Sequence, residues 1–222
     1  MTQEDGKRAC GYRAAELIED GMQVGIGTGS TVYFFIEKLI ERVKSGLNIT
    51  AAFSSIRSKN QAMEGGIPHI ENDLFTKLDV TVDGADEIDA QFNMIKGGGG
   101  ALLREKILAT SSTKMIIIVD ESKEVAKLGG AKLPIEICQF AYTATIDKIQ
   151  NLGFNGEIRV DQDRFYQTDG GNFIFDLNLQ SPIDNVQALH NQLITISGVV
   201  ETGLFFNLDV KLIVGKKDGT LK

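Results

Sequence analysis

The chain has 222 residues, 42% hydrophobic and 24% charged, enough to bury a substantial core in one domain or in a large domain with a small companion. Its formal net charge of −7 excludes general nucleic-acid affinity, since no lysine-arginine stripe offsets it, yet it leaves room for a local basic pocket that takes a phosphorylated metabolite. No apolar run approaches the roughly 18 residues of a membrane span, the first residues lack a signal-peptide core, and Cys10 and Cys138 are too few for a disulfide framework, so a cytoplasmic protein without a membrane partner is expected.

In chain order, a helix fits Arg8 to Glu19 and a strand fits Met22 to Ile26. A second helix begins near Thr31 and places Phe35, Leu39 and Val43 on one face by their spacing of four. A strand at Ile49 to Phe53, a helix around Lys59 to Gly65, a strand at Leu78 to Val82, a helix from Ala101 to Ala109 and a strand at Met115 to Val119 continue the alternation. Apolar strands interleaved with helices predict α/β architecture, a doubly wound and mostly parallel sheet covered on both faces. Ligands of such sheets bind beyond the carboxyl ends of the strands. The pattern changes after Gly129-Gly130. Strands at Leu133 to Ile137, Glu157 to Val160 and Phe173 to Leu177, helices at Ala144 to Asn151 and Asn185 to Leu193, and a turn at Asp169 to Asn172 make a second, smaller α+β domain. The expected division is 1–130 for the main domain and 131–204 for the small one, with 205–222 returning to the main sheet through the strand at Val210 to Val214.

The chemistry concentrates in glycine-rich and acidic segments. The run from Asp83 to Asp89 sets four carboxylates within seven residues directly after an apolar strand, and Lys96-Gly97-Gly98-Gly99-Gly100 follows. Like-charge repulsion and glycine entropy make this costly, which points to a site for an oxygen-rich anion; an acidic turn followed by a flexible loop is the plainer alternative. Gly25 to Thr31, GIGTGST, lies between a strand and a helix, where exposed amides and the helix dipole suit an anion and Ser30 and Thr31 can cap the helix. A dinucleotide fingerprint fails because its third glycine falls on Ser30, and no lysine completes a P-loop. Ser54 and Ser55 face the same crevice or cap the next helix. Lys96 neutralises a developing oxyanion or offsets the acids before it, and Lys7 and Lys123 are phosphate candidates or ordinary surface lysines. Glu105 falls between Ala101 and Ala109 on a helical wheel that is apolar in nearly every direction. A carboxylate there is costly without a purpose, and desolvation raises its pKa toward the range of a general base; a salt bridge to Arg104, Lys106 or a distant cation is the other reading. His69 and His190 are far apart, and no short-spaced metal pattern exists in the sequence.

Taken together, GIGTGST at Gly25 to Thr31, DGADEID at Asp83 to Asp89, KGGGGALLREK at Lys96 to Lys106, Val119-Asp120 with Lys123, LPIE at Leu133 to Glu136, TDGGN at Thr168 to Asn172 and GLF at Gly203 to Phe205 resemble the A-type ribose-5-phosphate isomerases over nearly the full chain. That resemblance implies interconversion of D-ribose 5-phosphate and D-ribulose 5-phosphate through an enediolate, without metal or organic cofactor, on a doubly wound main domain with a smaller ferredoxin-like domain. It implies Glu105 as catalytic base, with Asp83, Asp86 and Lys96 at the reacting end of the sugar. The implied substrate-binding set is Lys7, Thr28, Gly29, Ser30, Thr31, Gly84, Ala85, Gly97, Gly98, Gly99 and Lys123. It also implies a homodimer, with a homotetramer as the other assembly. Ile56-Arg57 departs from the small-residue run usual in that family, and Gly130-Ala131-Lys132 stands where a phenylalanine and a proline are common. The alternatives from other classes are a non-catalytic sugar-phosphate sensor, which would not need Glu105, and a coenzyme A transferase-like enzyme.

Overall fold

The structure, a computed structural model, describes residues 2–222 and all of their side chains but that of Asn72. Its helices are α1 (Gln3–Glu16), α2 (Ser30–Lys44), α3 (Ile56–Glu64), α4 (Leu102–Ser111), α5 (Tyr142–Asn151) and α6 (Val186–Ile194). Its strands are β1 (Gln23–Ile26), β2 (Thr50–Phe53), β3 (Leu78–Asp83), β4 (Glu87–Ile88), β5 (Met94–Ile95), β6 (Ser112–Asp120), β7 (Leu133–Ile137), β8 (Asn155–Ile158), β9 (Val160–Asp161), β10 (Arg164–Phe165), β11 (Phe173–Asn178), β12 (Val199–Thr202), β13 (Leu204–Phe205) and β14 (Val210–Gly215). No helix among the described residues is long and apolar enough to cross a membrane.

The chain forms two compact units, the first comprising Met1–Ala85, Arg104–Glu124 and Leu208–Lys222. Its sheet is five-stranded and parallel, in the order β2-β1-β3-β6-β14. Val80 and Val82 on β3 join Ile116 and Ile118 on β6 in a core with Cys10 and Ala14 of α1 and Phe35, Ile36 and Leu39 of α2. Thr81 points the other way, and its hydroxyl lies 3.2 Å from the Leu108 carbonyl of α4. Helices therefore cover both faces, which explains the unbroken apolar run of β6. The sheet is doubly wound: β2 lies on one side of β1 and β3 on the other, so the topological switch point falls between the carboxyl ends of β1 and β3.

Helix α1 starts at Gln3, five residues before the start expected from the sequence, because Thr2 and Asp5 form a reciprocal capping box. Gly6 is required inside the helix: a Cβ there would stand 2.7 Å from the Lys216 carbonyl oxygen. Helix α3 likewise starts three residues earlier than expected, because the Ser55 hydroxyl accepts from the Ser58 amide and caps it.

The second unit comprises Asp86–Leu103 and Val125–Asn207. Its four-stranded antiparallel sheet has the order β12-β7-β11-β8, with α5 between β7 and β8 and α6 between β11 and β12. That is the βαββαβ connectivity of a ferredoxin-like fold, with the β9–β10 hairpin inserted. Leu133, Ile135 and Ile137 meet Phe173, Phe175 and Leu177 in its core, against Ile149 of α5 and Leu193 of α6. The TDGGN turn serves this sheet: buried Glu136 accepts hydrogen bonds from the Thr168 hydroxyl and the Asn172 side-chain amide, both at 2.9 Å.

The compact units divide the chain elsewhere than at 130/131 and 204/205. Short strands β4 and β5, which the acidic run conceals, pair with each other and with β13. The Val125 amide donates to the Ile88 carbonyl, and Glu87 accepts from the Gly129 and Ala131 amides at 2.7 and 2.6 Å. Residues 86–103 and 125–130 thus pack with the antiparallel unit, and the chain rejoins the parallel sheet at Leu208 rather than at 205.

Candidate active site

In the first unit the candidate residues follow the carboxyl ends of parallel strands, all on one edge of the sheet. The loop Gly27–Gly29 leaves β1, Ser54 and Ser55 leave β2, Gly84 and Ala85 leave β3, and Lys123 ends a short 3₁₀ turn after β6. Asp83, the last residue of β3, is fully buried, and its Oδ1 accepts from the Thr28 amide at 3.1 Å and the Gly84 amide at 2.8 Å. Gly27 makes this possible, because a Cβ there would lie 2.0 Å from the Asp83 carboxyl group. The Thr28 hydroxyl meets the Ser54 and Ser55 hydroxyls at 2.7 and 2.8 Å, and Ser58 donates to the Gly27 carbonyl at 2.7 Å. These links hold the β1 loop at the switch point. Ser55 does both things considered for it, capping α3 and facing the loop.

Ser30 and Thr31 do not cap α2. They are its first helical residues, and the N-cap is Gly29 at φ +132°, with no side-chain cap. The first-turn amides are consequently left for another acceptor, and the helix dipole favours an anion there. Lys7 Nζ donates to the Ser30 hydroxyl at 3.0 Å and brings positive charge to this end. Its neighbour Arg8 turns away to Glu37 at 3.3 Å and stacks 4.6 Å over the Phe34 ring. An open cleft of about 660 Å³ beside this helix end is lined by Lys7, Ser30, Phe34 and Arg57. Arg57 therefore adds a cation to the cleft that Lys7 lines, and Ile56 is exposed to solvent.

Glu105 lies in the first turn of α4 with 3% of its surface exposed. Leu108, one turn later, is the residue that meets Thr81, so Glu105 stands toward the edge where β3 ends. Helix α4 is less enclosed than its wheel implied: Ile107 is 47% exposed, while Glu105, Leu108 and Ala109 are buried.

In the second unit the acidic run divides by role. Glu87 holds the 129–131 segment, and Asp89 accepts from the Gln91 and Asn93 amides at 2.9 Å each. Both are thus held by two backbone amides each. Asp86 instead accepts the Gly98 amide at 2.8 Å, at the glycine run. Lys96 is 2% exposed, its amide donates to the Gly203 carbonyl at 2.9 Å, and its ammonium lies 5.3 Å from the Phe205 ring centroid. The carbonyls of Gly97 and Gly98 accept from Arg159, and that of Gly99 from Tyr166, two residues that the sequence did not single out. Among the described residues, no group of three or more histidine, cysteine or acidic side chains is placed to hold a metal ion.

The first unit thus holds a buried carboxylate on a helix, a second carboxylate fixed by two amides and a helix end without a side-chain cap, and the second unit holds a buried lysine before a glycine loop. Residues 50–219 match the family model of ribose 5-phosphate isomerase A (phosphoriboisomerase A). The chain is 48% identical over 217 residues to ribose-5-phosphate isomerase A of Protochlamydia amoebophila (strain UWE25), covering 97% of this chain and 94% of that one. Among solved structures, the ribose 5-phosphate isomerase from Plasmodium falciparum superposes with a TM-score of 0.94 at 35% identity, over 99% of this chain and 97% of that one. A D-ribose-5-phosphate isomerase solved in complex with phospho-erythronic acid has a TM-score of 0.93 at 38% identity, over 100% and 98% of the two chains.

Proposed function

Because the chain belongs to the ribose 5-phosphate isomerase A family, we infer that it interconverts D-ribose 5-phosphate and D-ribulose 5-phosphate by a cofactor-independent route. Family membership disfavours a sensor or a coenzyme A transferase. The observation that carries the residue assignment is Glu105, a carboxylate buried in the first turn of α4 toward the edge where the β3 strand delivers Asp83.

In the proposed mechanism the phosphate binds the first-turn amides of α2 at Gly29, Ser30 and Thr31, with Lys7 and Lys123 as counter-charges. This remote anchoring orients the sugar carbons. Asp83 assists ring opening. Glu105 then removes the C2 proton of the open-chain aldose, and the electron pair moves into the C1–C2 bond while O1 takes the negative charge. Lys96 and the Gly97–Gly99 amides stabilise that charge, and Asp83 or Asp86 moves a proton between O1 and O2. Glu105 returns its proton to C1, giving the ketose with nothing consumed. Thr28, Gly84 and Ala85 shape the binding loop. Cytoplasmic location and a homodimer, or a homotetramer, belong to the same reading, and sedimentation velocity tests the assembly.

The test is purified protein with ribose 5-phosphate, EDTA and no nucleotide, with detection of ribulose 5-phosphate, alongside Glu105→Gln. The parent is expected to turn over, and the variant to lose about 10²- to 10⁴-fold in kcat. An inactive folded parent overturns the function. A folded Glu105→Gln protein with parental turnover and parental proton exchange at C2 returns the base to Asp83 or Asp86.

A further inference from the structure

The glycine run from Gly97 to Gly100 has no side chains to hold it, yet its carbonyls are individually gripped. Arg159, just after β8, forks onto Asp176 of β11, with Nε to Oδ2 at 2.8 Å and Nη2 to Oδ1 at 2.5 Å. Its remaining arm, Nη1, donates to the Gly97 carbonyl at 2.9 Å and the Gly98 carbonyl at 3.1 Å. Both partners are largely buried, Arg159 at 16% and Asp176 at 10% side-chain exposure. Tyr166 hangs from the same residue, its amide donating to the Arg159 carbonyl at 2.9 Å, and its phenol donates to the Gly99 carbonyl at 3.3 Å. Burial, above all, raises the Tyr166 pKa, so the phenol keeps its proton at neutral pH. A Cβ at residue 100 would stand 2.2 Å from that phenol oxygen, so any side chain there would push the phenol aside.

The consequence lies in the peptide planes. No peptide bond here is cis. In a trans peptide the carbonyl and the following N–H point in opposite directions. With the Gly97 and Gly98 carbonyls turned to Arg159, the N–H groups of Gly98 and Gly99 are turned away from it. The Gly98 amide reaches Asp86 at 2.8 Å, and the Gly99 amide is presented on that same side. Four consecutive glycines would otherwise sample many orientations, and an oxyanion donor is effective only when its direction is set before charge develops.

Resting on the isomerase reading above, we propose that Arg159, aligned by Asp176 and assisted by Tyr166, is the positioning residue that aims the Gly99 amide at the oxygens of the enediolate while the Gly98 amide holds Asp86. It touches no substrate and acts through the loop. Lysine cannot replace it, because one ammonium cannot fork onto Asp176 and bridge two carbonyls at once.

The experiment compares the parent with Arg159→Lys and Asp176→Asn, each checked by circular dichroism and melting. Expected for Arg159→Lys is a fall in kcat of about 10- to 100-fold with KM for ribose 5-phosphate within about 2-fold, since a lost transition-state donor costs turnover rather than uniform binding. Phospho-erythronic acid, whose carboxylate stands in for the enediolate oxygens, is expected to bind about 10-fold more weakly to the variant, while inhibition by inorganic phosphate stays unchanged. Asp176→Asn is expected to show the same pattern to a smaller extent, and it carries the test if Arg159→Lys does not fold. An active parent whose folded variants keep kcat within 2-fold, or lose activity only through KM, overturns the positioning role alone. A parent that does not isomerise ribose 5-phosphate overturns the isomerase reading and the role with it.

Discussion

Replacing Gly27 by alanine tests the packing on which the switch-point geometry depends. The new methyl carbon would stand 2.0 Å from both the Cγ and Oδ1 atoms of Asp83 and 2.6 Å from its Cβ. Carbon contacts are comfortable near 3.5 Å, so one partner must move by more than 1 Å. The loop is poorly placed to give way, since the Gly27 amide donates to the Val82 carbonyl at 2.9 Å and its carbonyl accepts from Ser58 at 2.7 Å. Asp83 is therefore expected to swing, losing the Thr28 and Gly84 amides as donors. Overpacking costs about 1–3 kcal/mol, and a buried group deprived of its hydrogen bonds about 1–3 kcal/mol more, so destabilisation of roughly 2–6 kcal/mol is expected. Because a 1 Å misplacement can cost about 10²-fold in rate, kcat on ribose 5-phosphate is expected to fall at least that far in the protein that remains folded. Urea unfolding gives the first quantity, and conversion to ribulose 5-phosphate, followed well below the unfolding midpoint, gives the second. A Gly27→Ala protein with parental midpoint and turnover would refute the contact and the importance of Asp83's position together.

Lys123→Ala is expected to raise KM for ribose 5-phosphate several-fold with little change in kcat, as for a remote phosphate contact; unchanged saturation would remove Lys123 from the binding set. Cys10 is fully buried and its thiol is pushed up to about 12, chiefly by burial, so a thiol reagent at pH 8 should label Cys138 in the native protein and Cys10 only after unfolding. Equal native labelling rates for both would contradict the packing around α1. Burial, the largest influence on Asp120, raises its pKa, but the Ser122 hydroxyl and Gln3 amide, with the Ser122 N–H and the Lys7 charge, hold it below the ordinary value of about 3.9. A folded-state value below the unfolded one gives stability that is present above about pH 4 and is lost as pH falls through the folded value. Asp120→Asn is therefore expected to be less stable than the parent at pH 7, with the difference shrinking in acid; a gap independent of pH between 7 and 3 would exclude this linkage.

The sequence alone was enough for the alternation of elements, because it is written in local patterns. The unbroken, isoleucine-rich run Met115 to Val119 reads as a strand covered on both faces, and the spacing of Phe35 and Leu39 reads as the inner face of a helix. Gly25 to Thr31 was legible as a strand-to-helix connection, since its glycines and position need no distant partner to be recognised. Element starts were less legible. Helix α1 begins at Gln3 on the Thr2–Asp5 capping box, five residues before the expected start, and the glycine within it at Gly6 is explained only by Gly215 and Lys216, far along the chain.

Only the tertiary structure decided which amides each acid of the Asp83–Asp89 run takes. The four look alike in composition, yet Asp83 accepts from Thr28 and Gly84, Asp86 from Gly98, Glu87 from Gly129 and Ala131, and Asp89 from Gln91 and Asn93. The pairing of β4 and β5 with β13, which moves the unit boundaries, was hidden for the same reason: two-residue strands carry no period of their own. Arg159 and Tyr166 left no local signal, since each meets the glycine run across more than 60 residues of chain. Periodicity and capping act between neighbours in sequence and can be read there. The direction in which a buried carboxylate or a glycine amide points is set by atoms that folding alone brings within hydrogen-bond distance.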